Sequence, residues 1–200
     1  LNEEVKRSRL FGYVHSSKAK EITPGPLYKT DLESSLQFAT ELLNGYYSLF
    51  LENENLKAQW ERGSEEGGYI CTNQGMIATI RVLQAILDHL EQKDKIEVRN
   101  RSASKLVLDI GKYLSPVVEY LGTASPQLIK EFRQSYAQAG VQASTYTLLK
   151  VIKEKYPEFD PPGLRQYLAK TDTTNNQAAY QNVSEIETMI HNHVITELKD

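Results

Sequence analysis

The chain has 200 residues, 40% of them hydrophobic, and a formal net charge of −3. This composition supports a packed domain of ordinary size, which excludes wholesale disorder, and the acidic balance excludes a global basic field for nucleic acid. No run of residues approaches the roughly 18 apolar residues that a membrane-spanning helix needs, so no membrane contact is expected.

The termini and the single cysteine set the expected context. The opening LNEEVKRSR is too polar for a secretory signal, and Cys71 has no second cysteine for a disulfide within the chain. Both features favour a reducing, cytoplasmic setting. The chain opens on Leu1, and the helical pattern that reaches Asp200 has no stop signal, so we expect a fragment of a larger protein.

The first thirty residues are the least regular. RLFGYVH fits either a short strand or a docking turn, and EITPGPLY is a Pro/Gly loop that cannot be helical. We therefore predict an irregular segment over 1–30 and a helical domain over 31–200.

Helical periodicity begins after this segment. Thr30 and Glu33 have the spacing of a capping box. The helix that follows carries apolar residues at three- and four-residue steps: Leu36, Ala39, Leu43, Tyr46 and Phe50. After a flexible turn at 63–68, Thr72 or Asn73 caps a second helix. Its apolar face is Met76, Ile80, Leu83, Leu87 and Leu90.

The second half of the chain continues the helical pattern after a polar link at 92–104, where a hinge is expected. The next apolar face is Leu106, Ile110, Tyr113, Val117 and Leu121. Pro116 should kink this helix or split it at Ser115, and Gly122 suits its end. Ser125 and Pro126 start another helix, which should break near Gly140.

Further helices are expected over 144–155, 162–169 and from a capping box at Ser184 and Glu187 to the end of the chain. Few strand signals interrupt these segments. The sequence therefore predicts an all-α fold, an orthogonal bundle of seven to eight helices with an irregular N-terminal segment.

Side chains that could carry chemistry are sparse. His191 and His193 are two residues apart and point to different sides of a helix, so they do not form a zinc pair. Cys71 precedes a helix cap and is interpreted as a small buried residue rather than a nucleophile. We predict no metal site, no cofactor and no catalytic set among these residues.

One nuclease-like spacing is present at the N-terminus. Arg9 and His15 flank LFGYV, and helical HEPN ribonucleases carry an arginine and a histidine at a similar spacing. Those residues belong on a helix, and Gly12 and Tyr13 beside a Pro/Gly loop argue against one. A HEPN-like ribonuclease that uses Arg9 and His15 is the alternative function.

Two segments suggest contacts with nucleic acid. Basic residues in and after the 92–104 link, Arg99, Arg101 and Lys105 above all, could hold phosphates, although acidic residues are interleaved. The stretch 126–155 has the outline of a helix-turn-helix with Gly140 in its turn. Its possible groove contacts are Ser144, Thr145, Lys150 and Lys153.

The stretch 46–90 resembles the helical part of DGQHR-domain proteins, which are related to regulators of bacterial DNA phosphorothioation. The residues that carry the resemblance are Tyr46, Tyr47, Trp60, Tyr69, Ile70, Thr72, Asn73, Gly75 and the helix from Met76. The Asp-Gly-Gln-His-Arg motif that names the family is absent. The resemblance therefore implies a C-terminal helical portion of such a protein and a bacterial system of DNA modification, restriction or defence.

These observations together predict a non-catalytic helical interaction module. Its partner is expected to be another protein or the rest of a larger chain, and assistance in DNA binding would fall to Arg99, Arg101 and Lys105. Trp60 and Gly75 are interpreted as structural: the indole pins the 63–68 turn, and the glycine allows close approach at a helix start.

Overall fold

The computed structural model of the chain describes residues 10, 12–14, 22–134, 138–161 and 164. Its contacts divide the chain into two compact units, Leu1–Pro162 and Gly163–Asp200. The first unit is described here, because Leu164 is the one described residue of the second. The predictions that concern Arg9, His15 and the segments 165–169 and 184–200 lie outside the described residues.

A two-stranded hairpin precedes the helices. Strands β1 (Gly12–Val14) and β2 (Ile22–Pro24) pair antiparallel, with Tyr13 opposite Thr23. Beyond the hairpin, the Leu27 amide donates to the Leu10 carbonyl at 2.8 Å, and both leucine side chains are fully buried. The strand interpretation of RLFGYVH is thus correct, and the two leucines anchor the segment by burial.

Six α-helices occur within the described part of the chain. They are α1 (Leu32–Leu51), α2 (Glu54–Glu61), α3 (Asn73–Gln92), α4 (Ala103–Gly122), α5 (Pro126–Gln134) and α6 (Gln138–Lys155). A 3-10 turn, Val98–Asn100, lies in the link between α3 and α4. The helical class is confirmed, whereas the count of seven to eight helices, the orthogonal arrangement and the division at residue 30 stay predictions.

Side-chain caps fix where several helices begin. Thr72 caps α3 by accepting from the Gly75 amide, and Ser125 caps α5 by accepting from the Leu128 amide. The predicted pair Thr30 and Glu33 is wrong by one residue, because Asp31 is the cap of α1 and accepts from the Ser34 amide at 2.8 Å. That hydrogen bond holds the pKa of the Asp31 carboxyl below its ordinary value.

Pro116 does not split α4, which runs unbroken from Ala103 to Gly122. A proline cannot donate to the carbonyl four residues earlier, which here is that of Lys112. The hydroxyl of Ser115 donates to this carbonyl at 3.1 Å instead. The helix therefore tolerates the proline because the residue before it satisfies the freed acceptor.

The predicted break near Gly140 comes earlier than expected: α5 ends at Gln134 and α6 begins at Gln138, so this glycine lies within α6. Two hydroxyls of the next turn stay inside the helix: Ser144 donates to the Gly140 carbonyl at 3.0 Å, and Thr145 to the Val141 carbonyl at 2.7 Å. Both side chains are buried. A glycine inside a helix costs only about 1 kcal/mol, which tertiary burial readily offsets.

The core lies where α3 and α4 pack on their neighbours. All five residues predicted for the α4 face are buried, as are the predicted α3 leucines and Ile80. On α1 the predicted face is misplaced in part: Leu36 is 64% exposed, whereas Phe38 and Leu42 are buried. The true stripe on α1 is Ser35, Phe38, Ala39, Leu42, Tyr46 and Phe50.

Candidate interaction surfaces

Basic residues of the 92–104 link bind groups of the protein itself, although most of them are exposed. The Arg99 guanidinium donates to the Gly25 carbonyl at 3.2 Å, just after the hairpin. The Lys29 ammonium binds the Arg99 carbonyl and lies 3.5 Å from the centre of the Phe38 ring. Burial, and then the positive charge of Arg99, lowers the pKa of Lys29. These contacts attach the link to the N-terminal segment and to α1.

The other two predicted phosphate ligands differ from each other. Arg101 forms an ion pair with Asp109 on α4, with 3.1 Å between Nε and Oδ2. Lys105 is exposed, and its main-chain amide takes part in the Ser102 cap of α4. Two of the three predicted cations thus neutralise or bind groups of the protein itself, which leaves Lys105 as the more available one.

The predicted helix-turn-helix contacts are also constrained. Ser144 and Thr145 are buried, so they cannot enter a DNA groove without unfolding α6. Lys153 donates to the Pro157 carbonyl at 2.6 Å, and Lys150 is exposed. The helix that was expected to read bases therefore turns its hydroxyl face into the core.

Trp60 and Gly75 lie at the two ends of one joint between α2 and α3. The Trp60 ring packs on the Tyr47 ring, 5.5 Å between centroids, and its carbonyl accepts from the Cys71 thiol at 3.3 Å. A Cβ added at Gly75 would overlap the Tyr69 carbonyl, so only glycine fits this approach. Burial raises the pKa of the Cys71 thiol, the opposite of the shift a nucleophile needs.

The turn between α2 and α3 is held from a distant helix. The Arg133 guanidinium on α5 donates to the Ser64 carbonyl at 2.7 Å and also to the carbonyls of Glu65 and Gly68. Gly63 and Gly67 supply the positive φ angles of the turn, +57° and +87°. The sequence indicates a flexible turn here, and the structure shows that a planar guanidinium binds its carbonyls.

His89, near the end of α3, is fully buried in a polar and aromatic cluster. Its Nε2 lies 3.1 Å from the Tyr113 hydroxyl, which donates to the Asp94 carboxylate at 2.9 Å. The Phe159 ring packs 4.9 Å from the imidazole ring. No sequence signal joined these residues, because they come from α3, α4, the link and the segment after α6.

A groove of about 560 Å³ opens between α1 and α4. Its α4 wall is a second apolar stripe, Val107, Gly111, Leu114 and Val118, beside the buried face. Leu49 on α1 forms part of the other wall, and Leu108 at the edge is 76% exposed. Together with the apolar stripe, Leu108 forms a continuous apolar surface, and continuous apolar surfaces are candidates for contact with another molecule.

Two close approaches lie along the groove. A Cβ at Gly111 would lie 3.7 Å from the Leu49 side chain. Asn53, just beyond the end of α1, reaches Gly122, where an added Cβ would lie 2.5 Å from the Asn53 amide nitrogen. The charged residues that line the groove are Glu52 and Glu119. In the sequence, the only signal for this stripe is that α4 carries more apolar residues than one buried face needs.

The predicted nuclease pair lies outside the described residues. Gly12–Val14, between Arg9 and His15 in sequence, form strand β1 and not a helix. The HEPN-like alternative stays a prediction. Within the described ranges no helix is long and apolar enough to cross a membrane, and no group of acidic, cysteine and histidine side chains could hold a metal ion.

Comparison with known proteins gives no relative from which to transfer a role. The chain matches no protein-family model, and no curated protein or solved structure matches it significantly. What the chain can do must be argued from its own surfaces.

Proposed function

We propose that this chain is a non-catalytic helical interaction module that binds a helix of a partner protein in the groove between α1 and α4. The observation that carries the proposal is the exposed Leu108 beside the apolar stripe of α4, in a groove that also has polar lining residues. Burying a leucine side chain is worth about 1.5–3 kcal/mol, so a partner that covers Leu108 would gain binding energy.

The dimensions of the groove suit a helix. The stripe from Val107 to Val118 advances by i, i+4, i+7 and i+11, which is about 16 Å or three turns of α4. Grooves of this length receive the apolar face of an amphipathic helix, whose anchors recur at the same spacing. The apolar walls supply affinity, and the polar rim supplies orientation.

The contacts of the basic link favour a protein partner over DNA. Arg99 binds the Gly25 carbonyl, and Arg101 is paired with Asp109. Each phosphate contact would have to compete with these interactions, and a chain of net charge −3 adds no long-range attraction. The proposal therefore assigns no DNA contact to the link, and Lys105 is the residue whose substitution tests this.

The wider context of the proposal comes from the resemblance of residues 46–90 to DGQHR-domain proteins. On that resemblance the module would serve a bacterial system of DNA modification, restriction or defence. The two side chains with the most reactive chemistry are Cys71 and His89. Both form hydrogen bonds with groups of the protein, the Trp60 carbonyl and the Tyr113 hydroxyl. The proposal therefore assigns them no reaction.

A peptide-display selection tests the proposal directly. The library would encode amphipathic helices of about 16 residues, roughly four turns, with randomised apolar and polar positions. We expect binders that lose at least tenfold in affinity for Leu108→Asp and keep it for Leu36→Asp. Leu36 is the matched control because it is also an exposed leucine on a helix, outside the groove. Binders that ignore Leu108, or no binders, would contradict the proposal.

The DNA component needs its own experiment. A titration of duplex DNA at low and high salt would compare the wild type with Lys105→Glu, which leaves the Arg99 and Arg101 contacts intact. Under the proposal the wild type shows no binding that depends on Lys105. Salt-dependent binding that Lys105→Glu removes would move the function toward nucleic acid.

A further inference from the structure

We infer that the partner helix is cationic: beside its apolar anchors, it places a lysine or arginine side chain at the end of the groove between Glu52 and Glu119. This inference rests on the proposed function and specifies the charge of the partner. It is argued from where α1 and α4 end and from the side chains found there.

Two helices finish at the same end of the groove. Helix α1 ends at Leu51 and α4 at Gly122, and the Asn53 side chain lies against Gly122. The last carbonyls of a helix carry a partial negative charge equivalent to about half an elementary charge. Helix α2 begins at the same place, with Asn53 as its N-cap, and its positive end offsets part of this field. The net negative charge of this end therefore depends on its acidic side chains.

The side chains at this end add to that field. Glu52 is the C-cap residue of α1, and Glu119 lies in the last turn of α4. Neither helix has a basic residue in its last turn, although α5 and α6 both do. The residues that line the groove include no lysine or arginine. The Asn55 and Gln59 side-chain amides already bind the Gly122 and Leu121 carbonyls, so a cation from outside would pair with the Glu52 and Glu119 carboxylates.

The apolar and acidic parts of the groove follow one another along α4. Leu108 lies near the Leu49–Gly111 contact, and Glu119 is eleven residues further along the helix, about 16 Å away along its axis. A partner that matches both parts has apolar anchors along the groove and a basic residue about three turns beyond the first anchor. Lysine and arginine stems can cover the apolar wall while their charged heads reach the carboxylates.

The test uses the helical peptides selected on the wild-type groove, synthesised with each lysine or arginine replaced by glutamine. We expect selected sequences to be enriched in basic residues, and the glutamine versions to bind the wild type about threefold less tightly at low salt. The double variant Glu52→Gln/Glu119→Gln should bind the basic peptides roughly threefold more weakly, and the glutamine peptides equally well. High salt should shrink both differences.

The outcomes separate the two proposals. Peptides that depend on Leu108 but show no enrichment in basic residues, or no response to Glu52→Gln/Glu119→Gln, overturn the cationic inference and leave the groove as a docking site. Absence of any Leu108-dependent peptide overturns both. Concentration-dependent self-association that Leu108→Asp abolishes would assign the groove to a second copy of this chain and overturn the cationic helix as its occupant. The neutral Gln variants should fold normally, because both carboxylates are exposed.

Discussion

The main-chain N–H of Asp160 donates a hydrogen bond to Nδ1 of His89, with 3.2 Å between the nitrogens. Because Nδ1 is the acceptor, the single ring proton of the neutral imidazole is on Nε2, which donates to the Tyr113 hydroxyl. Tyr113 then donates to Asp94. The bonds run in one direction from Asp160 to Asp94, and a second ring proton would place two N–H donors face to face.

This arrangement makes stability depend on pH. Burial lowers the pKa of His89 from its ordinary 6.5. The nearby Asp94 and Glu158 carboxylates raise this pKa by less, and the Lys112 and Lys93 ammonium groups lower it further. Below about pH 6.5, His89 therefore becomes protonated in the unfolded chain at a pH where it is still neutral in the folded chain. We expect the free energy of unfolding to fall as pH drops below 6.5, with a contribution no steeper than about 1.4 kcal/mol per pH unit.

Urea unfolding at closely spaced pH values checks this. His89→Gln keeps an acceptor and a donor but cannot titrate, so its stability should vary less between pH 7 and pH 5 than that of the wild type. Carboxylates and the other histidines are common to both proteins and cancel in the comparison. Equal pH dependence in the two proteins would show that His89 is not the group responsible. The titratable and charged groups around it are Asp94, Lys93, Lys112, Tyr113, Glu158 and Asp160.

Removal of the Tyr113 hydroxyl should destabilise the fold. Tyr113→Phe keeps the ring that packs on His89 but leaves the buried Nε2–H without its acceptor, which costs about 1–3 kcal/mol. The Tm in thermal melts should fall accordingly. Tyr156→Phe is the control, because the Tyr156 ring lies 5.3 Å from the Tyr113 ring. This substitution should lower the free energy of unfolding by less than about 0.5 kcal/mol. If Tyr113→Phe leaves the Tm unchanged, a water molecule accepts the hydrogen bond from Nε2–H of His89 instead.

The two glycines between α1 and α4 should respond oppositely to alanine. At Gly111 a Cβ would make ordinary contact with Leu49, so Gly111→Ala should raise stability by up to about 1 kcal/mol through helix propensity. At Gly45 a Cβ would come within 2.5 Å of a Val107 methyl group, on a side chain that is stiff in helices. Gly45→Ala should therefore lower stability by about 1–3 kcal/mol. Chemical unfolding of both variants gives the sign, and equal effects would contradict this packing.

Arg133 should stabilise the turn at 63–68 more than a lysine can. Arg133→Lys replaces a fork that binds three carbonyls by a single ammonium, and we expect a loss of about 1–2 kcal/mol. Amide hydrogen exchange should accelerate first in the turn. Lys130→Ala, an exposed change on the same helix, should leave that exchange unchanged. Exchange that rises uniformly over the chain would indicate general destabilisation instead.

Local patterns predicted the elements well where one signal dominated. The α4 face was correct because Leu106 to Leu121 repeat strictly, and the α5 start was correct because a serine cap and a proline coincide. Errors arose where two residues offered the same signal. Thr30 and Asp31 can both cap a helix, and Leu36 lies one position from the true stripe of α1.

The surfaces could not be predicted because they depend on distances between helices. The groove is lined by residues of α1, of α4 and of the segment after α1, a combination that no periodicity encodes. His89 and Asp160 are 71 residues apart in sequence, so nothing local links them. Arg99 and Arg101 resembled free phosphate ligands because their acceptors, Gly25 and Asp109, belong to other elements.

The pairing of α1 with α4 also has a consequence for assembly. Gly45 meets Val107 across a long stretch that includes α2 and α3, so closing this contact carries a large loop entropy and should come late in folding. The groove is then a property of the finished fold alone. A partner that recognises the groove would bind the folded chain and would not bind nascent or partly folded chains. Complex formation would therefore select the folded molecules.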